Sequence, residues 1–583
     1  MNQRFFGLFL FFLIWFAAIG ARLYYWQGIK AADLQEVARS QYERSTTQEA
    51  FRGKIISSDK KSLALSVETF RLIGRPNLLT TPPSSLARLI EPLIYAPSPQ
   101  AATDSTKRRE EERELEMTLL SRLSDPKRKW VVLESGLSEK QREEIQALES
   151  EALTFEPMQS RFYPEGTLLS HVLGFVGNTD SGESKGYFGL EGFYDLELRG
   201  NRSKLTQISD AVGQPISIEL PQAKPQAMSR DIQLTIHRDI QHTVEQHLKA
   251  GVEKYGAKSA DAIVMDPLTG KVLAMASYPS YDPASYANSD PLLFKNPAVA
   301  DGYEPGSTFK VLTVAAGIDL GLISPQTQCD RCSGPVTIGK YTIKTWNNEY
   351  HPNTTILDGL KHSDNTAMVY IAQKVGEERF LSYLKNFGIG QKTGIDLQDE
   401  GTPKLRADKE WGEIDLATAS FGQGIALTMV QMLNAVNVIA NGGTLYKPFV
   451  VEEVRSGEEQ YITQPTKVRE VISPQTAKTV AQMMRDAASQ GDARWTLPKE
   501  YPVAGKTGTA QIPVAGHYDE NRTIASFVGF SPVENPKFSM LVRVVEPTSS
   551  PWGSETAAPL WFEIARDLFV KFGISKLEQA PAQ

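Results

Sequence analysis

The chain has only two cysteines, placed three positions apart as Cys329-Asp330-Arg331-Cys332. Two cysteines cannot build a disulfide framework, and without further sulfur ligands they argue against a structural zinc site. A local disulfide in an oxidising compartment and two unpaired thiols both stay open. The seven histidines include no H-E-x-x-H, and no G-x-S-x-G occurs, so metalloprotease and α/β-hydrolase readings lack support. An excess of positive charge is missing too. With 62 Lys and Arg against 69 Asp and Glu, the net charge is -7 and the pI about 5.7, which speaks against a general nucleic-acid binder.

Long apolar runs are absent except at the N-terminus. There, Phe5 to Ala21 is uninterrupted apolar sequence, followed by Arg22 and the aromatic cluster Tyr24-Tyr25-Trp26. A membrane span needs roughly 20 apolar residues, and interfacial aromatics and a snorkelling arginine suit its end. Ala18-Ile19-Gly20 is a passable cleavage site for a signal peptide. The aromatic belt continues past it, so an uncleaved anchor over residues 5–26 is expected, with nearly all of the chain on one side. Arg4 and Arg22 flank the span evenly and leave its orientation unset.

At 583 residues two or more domains are expected. Residues 27–50 read as an amphipathic helix leaving the membrane. Residues 51–75 hold β-like runs such as SLALSVETFRLIG, and residues 82–105, rich in Pro, Ser and Ala, read as a loop or linker. The charged run from Lys107 to Leu123 reads as a solvated helix. A composition shift near residue 226 opens a more regular part. Strand-like RDIQLTIH precedes a helical run, and AIVMD and KVLAMAS join through the turn Pro267-Leu268-Thr269-Gly270. Helical stretches follow over 355–387 and 424–441, then three strands (YPVAGKTGTAQIP, TIASFVGFSP, KFSMLVRVVEP) and the helix APLWFEIARDLFVKFG. Strands from both ends with helices between them predict an α+β domain, an antiparallel sheet flanked by helices.

The chemistry centres on YEPGSTFKVLTVAAGIDLGL, residues 303–322. Pro305 and Gly306 break the chain, Ser307 stands at a helix start, and Lys310 lies one turn later on the same face. A hydroxyl beside a neutral amine is an activated nucleophile. For Lys310 to be that amine its pKa, ordinarily about 10.4, has to fall to near 7, about 4 kcal/mol of lost charge stabilisation. Burial and a nearby cation, Lys506, push that way. Ser57/Lys60 and Ser58/Lys61 also spell S-x-x-K, but they sit in a polar turn with no helix behind it. Two further stretches complete a set: His362-Ser363-Asp364-Asn365 between helices, and Lys506-Thr507-Gly508-Thr509 in a strand. Lys392-Thr393-Gly394 repeats the K-T-G, yet its flanks read as a turn into a loop. Ser363 suits proton transfer to a leaving amine, and Asn365 suits a hydrogen bond to a substrate amide and to Lys310. Lys506 with the hydroxyls of Thr507 and Thr509 suits a terminal carboxylate. Gly508 leaves room for a peptide adding to the strand edge. The backbone N–H groups of Ser307 and Thr509 suit an oxyanion hole. No metal or cofactor is expected. Packing or hydrogen bonding is the expected role of His351 and His362, and a structural one of Arg161 and His171.

S-x-x-K, S-D-N and K-T-G in that order are the signature of penicillin-binding proteins and class A β-lactamases. The chain resembles a class B penicillin-binding protein, a monofunctional peptidoglycan D,D-transpeptidase. RGKIISSDKKSLA (52–64) is similar to the family's N-terminal motif, departing from it at Ser57-Ser58-Asp59-Lys60. RFYPEGTLLSHVLGFVG (161–177), GLEGFYDLELRG (189–200) and SFGQGIALTMVQMLNAVNVIANGG (420–443) resemble later motifs. The resemblance implies the penicillin-binding transpeptidase or serine β-lactamase-like fold behind an extended pedestal. The domains expected are a cytoplasmic tail (1–4), an anchor (5–26), a pedestal of dimerisation type (27–225), a transpeptidase domain (226–575) and a C-terminal tail (576–583). It further implies an extracytoplasmic domain on a single-pass anchor in the cytoplasmic membrane. Ser307 then attacks the penultimate D-Ala of a peptidoglycan stem peptide, and β-lactams acylate the same serine. A SEDS-type glycosyltransferase and other wall-synthesis or division proteins are the partners implied. No glycosyltransferase module is visible upstream, and no appended β-lactam-binding repeats are expected. Asn365 at the third motif position resembles division-type enzymes, since elongation-type enzymes often have aspartate there. A β-lactamase, carboxypeptidase or sensor of the same fold, and a non-catalytic scaffold, are the competing readings. The first does not need a pedestal of roughly 200 residues, and the second does not need every motif position filled.

Overall fold

The computed structural model describes residues 2–48, 50–97, 101–180, 182–200, 203–208, 229–407, 410–491, 494, 500–514 and 517–576, and the chain divides into two units. The first takes Met1–Phe51 with Arg199–Ser229. In it α1 (Asn2–Tyr24) continues into the π-helical turn Tyr25–Ile29. Gln3–Ile29, 27 residues containing an 18-residue stretch of mean hydropathy 2.1, is long and apolar enough to cross a membrane. The helix expected over 27–50 ends at Tyr42, and Glu43–Gln48 is a strand paired antiparallel with Ser203–Ile208. The sequence ERSTTQ has β-branched threonines and no apolar stripe to favour a helix. The expected domain break at 225–226 and the tail from residue 577 onward lie outside the described residues.

The second unit takes Arg52–Leu198 and Arg230–Gln583. Its functional half is built on a five-stranded antiparallel sheet. The strands are β1 (Ser259–Met265), β2 (Val272–Tyr278), β3 (Ala504–Val514), β4 (His517–Ser531) and β5 (Phe538–Val545), in spatial order β2-β1-β5-β4-β3. Strands from both ends of this part thus share one sheet, as the sequence predicts. Alternation decides the two faces. Ala260, Ala262 and Val264 of β1, with Phe538, Met540, Val542 and Val544 of β5, pack against α2 (Arg238–Tyr255) and a C-terminal helix, Ala557–Lys571. Ile263, Met265 and Leu541 face the other way. There they join a core with the helix α3 (Lys310–Asp319), the helix α4 (Asn365–Val375) and the wholly buried helix Met429–Ala440. β3 is an edge strand, paired among the described residues with β4 alone.

The remaining half is a mixed sheet of seven strands. Glu459–Ile462, Val451–Ser456, Asp231–Leu234, Ile55–Ile56, Ser62–Gly74 and Val131–Leu137 follow in order, with Leu153–Phe162 pairing on Ser62–Gly74. Ile55 runs parallel to Ile232 at the middle of it, so strands from before and after residue 226 form one sheet. Residues 82–105, expected as a loop, contain the helix Pro83–Ile94. Proline is compatible with a first helical turn, and Leu86, Ala87, Ile90 and Ile94 bury one face of it. Arg52 and Arg161 both pair with the fully buried Glu191, each at 2.6 Å, and Arg52 also holds Asp195 at 2.7 Å. The ion cluster draws the three motif stretches at 52–64, 161–177 and 189–200 together. His171 is buried edge-on against Tyr281. Arg161 and His171 thus stand in the packed interior, as expected of structural residues.

Candidate active site

Ser307 lies in a 3₁₀ turn, Gly306–Phe309, rather than in the helix itself, and α3 begins at Lys310. The turn is wedged between two backbones. Gly306 has φ of +55°, and a Cβ there would lie 2.8 Å from the Thr509 carbonyl oxygen. Its N–H donates to the Gly422 carbonyl at 3.0 Å. Only glycine fits such a position without strain. Ser307 is half-buried, while Lys310 behind it is 0% exposed.

The three motifs meet at Ser363. Its Oγ accepts from Lys310 Nζ at 3.2 Å and from Lys506 Nζ at 3.1 Å. Lys310 Nζ also donates to the Ser363 carbonyl. Lys506 further donates to the carbonyl and hydroxyl oxygens of Thr507 at 3.1 and 3.2 Å. Ser363 holds φ of +56° in the turn before α4, a conformation that costs a non-glycine residue free energy and is common at functional sites. The strain is held by its neighbour: Asp364 caps α4, accepting from the N–H of Thr366 at 2.7 Å and of Ala367 at 3.4 Å.

Asn365 is the first residue of α4. Its amide donates to the Lys344 carbonyl at 2.8 Å, tying α4 to the 344–350 loop. Gly508 has a packing reason that the sequence does not reveal. A Cβ there would lie 2.6 Å from Ser526 Oγ and 2.8 Å from both the Pro305 carbonyl and the Thr308 methyl. The glycine is what lets the Ser307 turn seat on β3. The Thr509 hydroxyl accepts from the Gly553 N–H at 2.9 Å, which ties β3 to the loop after β5.

Several neighbours escape a sequence reading. Asp261 on β1 and Arg543 on β5 sit in register and form a buried ion pair at 2.7 Å. The Arg543 guanidinium stacks over the Tyr303 ring at 5.1 Å, just ahead of the turn. Glu304 accepts from the Gly424 N–H at 3.1 Å and from the Tyr518 hydroxyl at 3.2 Å, and burial raises its carboxyl above the ordinary range. Trp346 and Trp552 meet with ring centroids 5.2 Å apart.

The sites set aside in the sequence have other uses. Ser57 Oγ accepts from the Lys61 N–H at 3.0 Å in a tight turn. The second K-T-G forms no strand, and Thr393 N–H and hydroxyl and Gly394 N–H instead cradle the Glu400 carboxylate. Cys329 and Cys332 are joined in a buried disulfide. The His351 and His362 rings lie tilted against each other with centroids 5.3 Å apart.

Residues 261–569 match the family model of the penicillin-binding protein transpeptidase domain, and residues 47–234 that of the penicillin-binding protein dimerisation domain. Among known proteins, stage V sporulation protein D of Bacillus subtilis is 30% identical over 98% of this chain and 86% of the relative. A probable peptidoglycan D,D-transpeptidase, PenA of Neisseria meningitidis, is 28% identical over 96% of this chain and 91% of its own. Among solved structures, penicillin-binding protein 3 of Mycobacterium tuberculosis, complexed with aztreonam, superposes with a TM-score of 0.68 at 25% identity, covering 91% of this chain and 98% of that one. Penicillin-binding protein 2X of Streptococcus thermophilus shares the fold with a TM-score of 0.72 at 22% identity, over 91% and 81%.

Proposed function

The chain belongs to the class B penicillin-binding proteins, the peptidoglycan D,D-transpeptidases, and from that premise we propose that it cross-links wall peptides through an acyl-enzyme on Ser307. The observation that carries this reading is the meeting of Lys310, Lys506 and Ser363 on one hydroxyl. Two ammonium groups held no farther apart than those two contacts laid end to end repel by about 3 kcal/mol at an effective dielectric of 20. Leaving Lys310 neutral relieves that repulsion and gives the nucleophile its base.

In the proposed cycle Ser307 Oγ attacks the penultimate D-Ala carbonyl, and its proton passes to Lys310. The oxyanion rests on the N–H groups of Ser307 and Thr509, a contact of about 3 kcal/mol per donor in comparable sites. Lys506 and Thr507 grip the terminal carboxylate, and Ser363 relays the proton to the leaving D-Ala amine. The amine of a neighbouring stem then attacks the ester, and the proton path runs in reverse. β-Lactams acylate the same serine. Asn365 orders the wall of the cleft through Lys344 and leaves its amide oxygen for substrate.

The finer reading is a division enzyme held by α1 in the cytoplasmic membrane, with its catalytic part outside and a SEDS-type glycosyltransferase beside it. Asn365 in the motif supports the division type. The test is depletion in cells combined with a fluorescent fusion of the full chain. Septal localisation and filamentation support the reading, and uniform wall labelling with rounding overturns the septal part alone. Loss of cross-linking in Ser307→Ala cells tests the enzyme itself.

A further inference from the structure

The strand that grips the substrate in this reading also fixes the substrate's direction, and toward its far end stands a carboxylate that no lysine or arginine pairs among the described residues. Lys506 and Thr507 lie toward the start of β3, with Thr509 beside the Ser307 turn. A peptide whose terminal carboxylate sits at Lys506 and whose reacting carbonyl sits at Thr509 runs antiparallel to β3. Its N-terminal side then lies along Ala510 to Val514. Strand rise is about 3.3 Å per residue, so the residue before the penultimate alanine falls one or two pairs beyond Thr509. Tyr518 is paired with Pro513 on the same hairpin, and its hydroxyl reaches across to Glu304, which precedes Ser307 by three positions.

Glu304 is a poor structural residue. It is half-buried, and burial raises its carboxyl. It accepts two neutral hydrogen bonds, from Gly424 N–H and Tyr518 OH. Among the described residues no lysine or arginine pairs with it, and Arg543, which stacks on the adjoining Tyr303, is paired at 2.7 Å with Asp261. A partly desolvated carboxylate without a cation is costly unless a cation arrives. Burial and the Glu304 charge together push the Tyr518 hydroxyl up to about 12, so it stays a donor and keeps the carboxylate aimed.

We propose that Glu304, aimed by Tyr518 and Gly424, is a specificity-determining residue that binds the side-chain ammonium of the third residue of the donor stem peptide. The enzyme is thereby selective for donors whose third residue is a free diamino acid. This rests on the reading of Ser307 as nucleophile and Lys506 as carboxylate grip. It adds a second charged anchor to the same peptide, of opposite sign and on the opposite side of the reacting carbonyl.

The experiment compares two donors on the full chain in detergent: a D-Ala-D-Ala pentapeptide with a free third-residue amine, and the same peptide acetylated on that amine. The readout is the single-turnover rate of acyl-enzyme formation, followed by intact mass. Wild-type protein favours the free amine by roughly tenfold, as a charge-assisted hydrogen bond warrants. The ratio falls to near one in Glu304→Gln and partway in Tyr518→Phe, with the acetylated donor as the internal reference for folding. Equal rates for both donors in the wild type, or a preference that persists in Glu304→Gln, overturn the proposal. So does an effect confined to deacylation by an added amine, which would put the acceptor there. If neither donor acylates the wild type while a fluorescent penicillin labels Ser307, the peptide reading fails at this site. No label at all means the nucleophile assignment has failed instead.

Discussion

At the scale of single residues, the charges at the site are few and closely confined. Ser363 Oγ takes a hydrogen bond from each of two buried lysines, so its removal disconnects Lys310, the proposed base, from Lys506, the proposed carboxylate grip. The other telling residue is His171. Burial holds its imidazole down to about 4 from an ordinary 6.5, against the opposing charge of Asp261. With the folded pKa depressed, the unfolded chain binds the extra proton between those values. Stability is therefore full above about pH 6.5 and is lost as pH falls toward 4, by about 1.4 kcal/mol per pH unit and about 3 kcal/mol in all. Urea melts at pH 7.5 and 4.5 should show a smaller loss of stability in His171→Gln than in the wild type, and parallel losses would contradict this. Much of the residue scale was legible in the sequence. Ser307, Lys310, Ser363 and Lys506 come together because motif order and a Pro-Gly break carry the information locally. Glu304, Asp261 and Arg543 were not legible, because each acquires its partner only when distant strands align.

At the scale of elements, the edge strand β3 and the 3₁₀ turn act as one part. Gly306 meets the Thr509 backbone of the strand and Gly508 meets the Pro305 carbonyl of the turn, and neither leaves room for a Cβ. Gly508→Ala forces Ser526, Pro305 or Thr308 to shift, and overpacking of this kind costs roughly 1–3 kcal/mol. The expected result is a modest loss in a thermal melt together with at least a tenfold loss in the rate of penicillin acylation, since the displaced part is the turn that carries Ser307, the proposed nucleophile. A variant that acylates at the normal rate would show that the turn tolerates the shift. Elements inside the regular part were readable by period. Pro83–Ile94 was not, because Pro and Ser hid an apolar stripe at Leu86, Ala87, Ile90 and Ile94. Glu43–Gln48 reads as helix in the sequence because a polar run carries no period to contradict its flank.

At the scale of the whole molecule, the composition shift near residue 226 does not separate two independent sheets. The Asp231–Leu234 strand lies between Val451–Ser456 and Ile55–Ile56, with the Ile232 N–H on the Lys54 carbonyl at 2.8 Å. Ile55, Leu63 and Leu169 share a core with Ile232 and Leu234, and each such side chain is worth about 2 kcal/mol of burial. A chain cut to residues 226–583 therefore exposes an unpaired strand edge and an apolar face, and should aggregate where a chain from residue 30 stays soluble in detergent. A monodisperse, penicillin-reactive fragment would contradict that. Composition marks where the chemistry begins, but strand pairing across the break is a property of the fold alone. Everything proposed here turns on the acyl-enzyme at Ser307, and intact-mass and peptide mapping of the full chain after a brief exposure to penicillin tests it most directly. One long-lived adduct is expected, located on Ser307 and lost in Ser307→Ala. An adduct on another residue, or its survival in that variant, would contradict it.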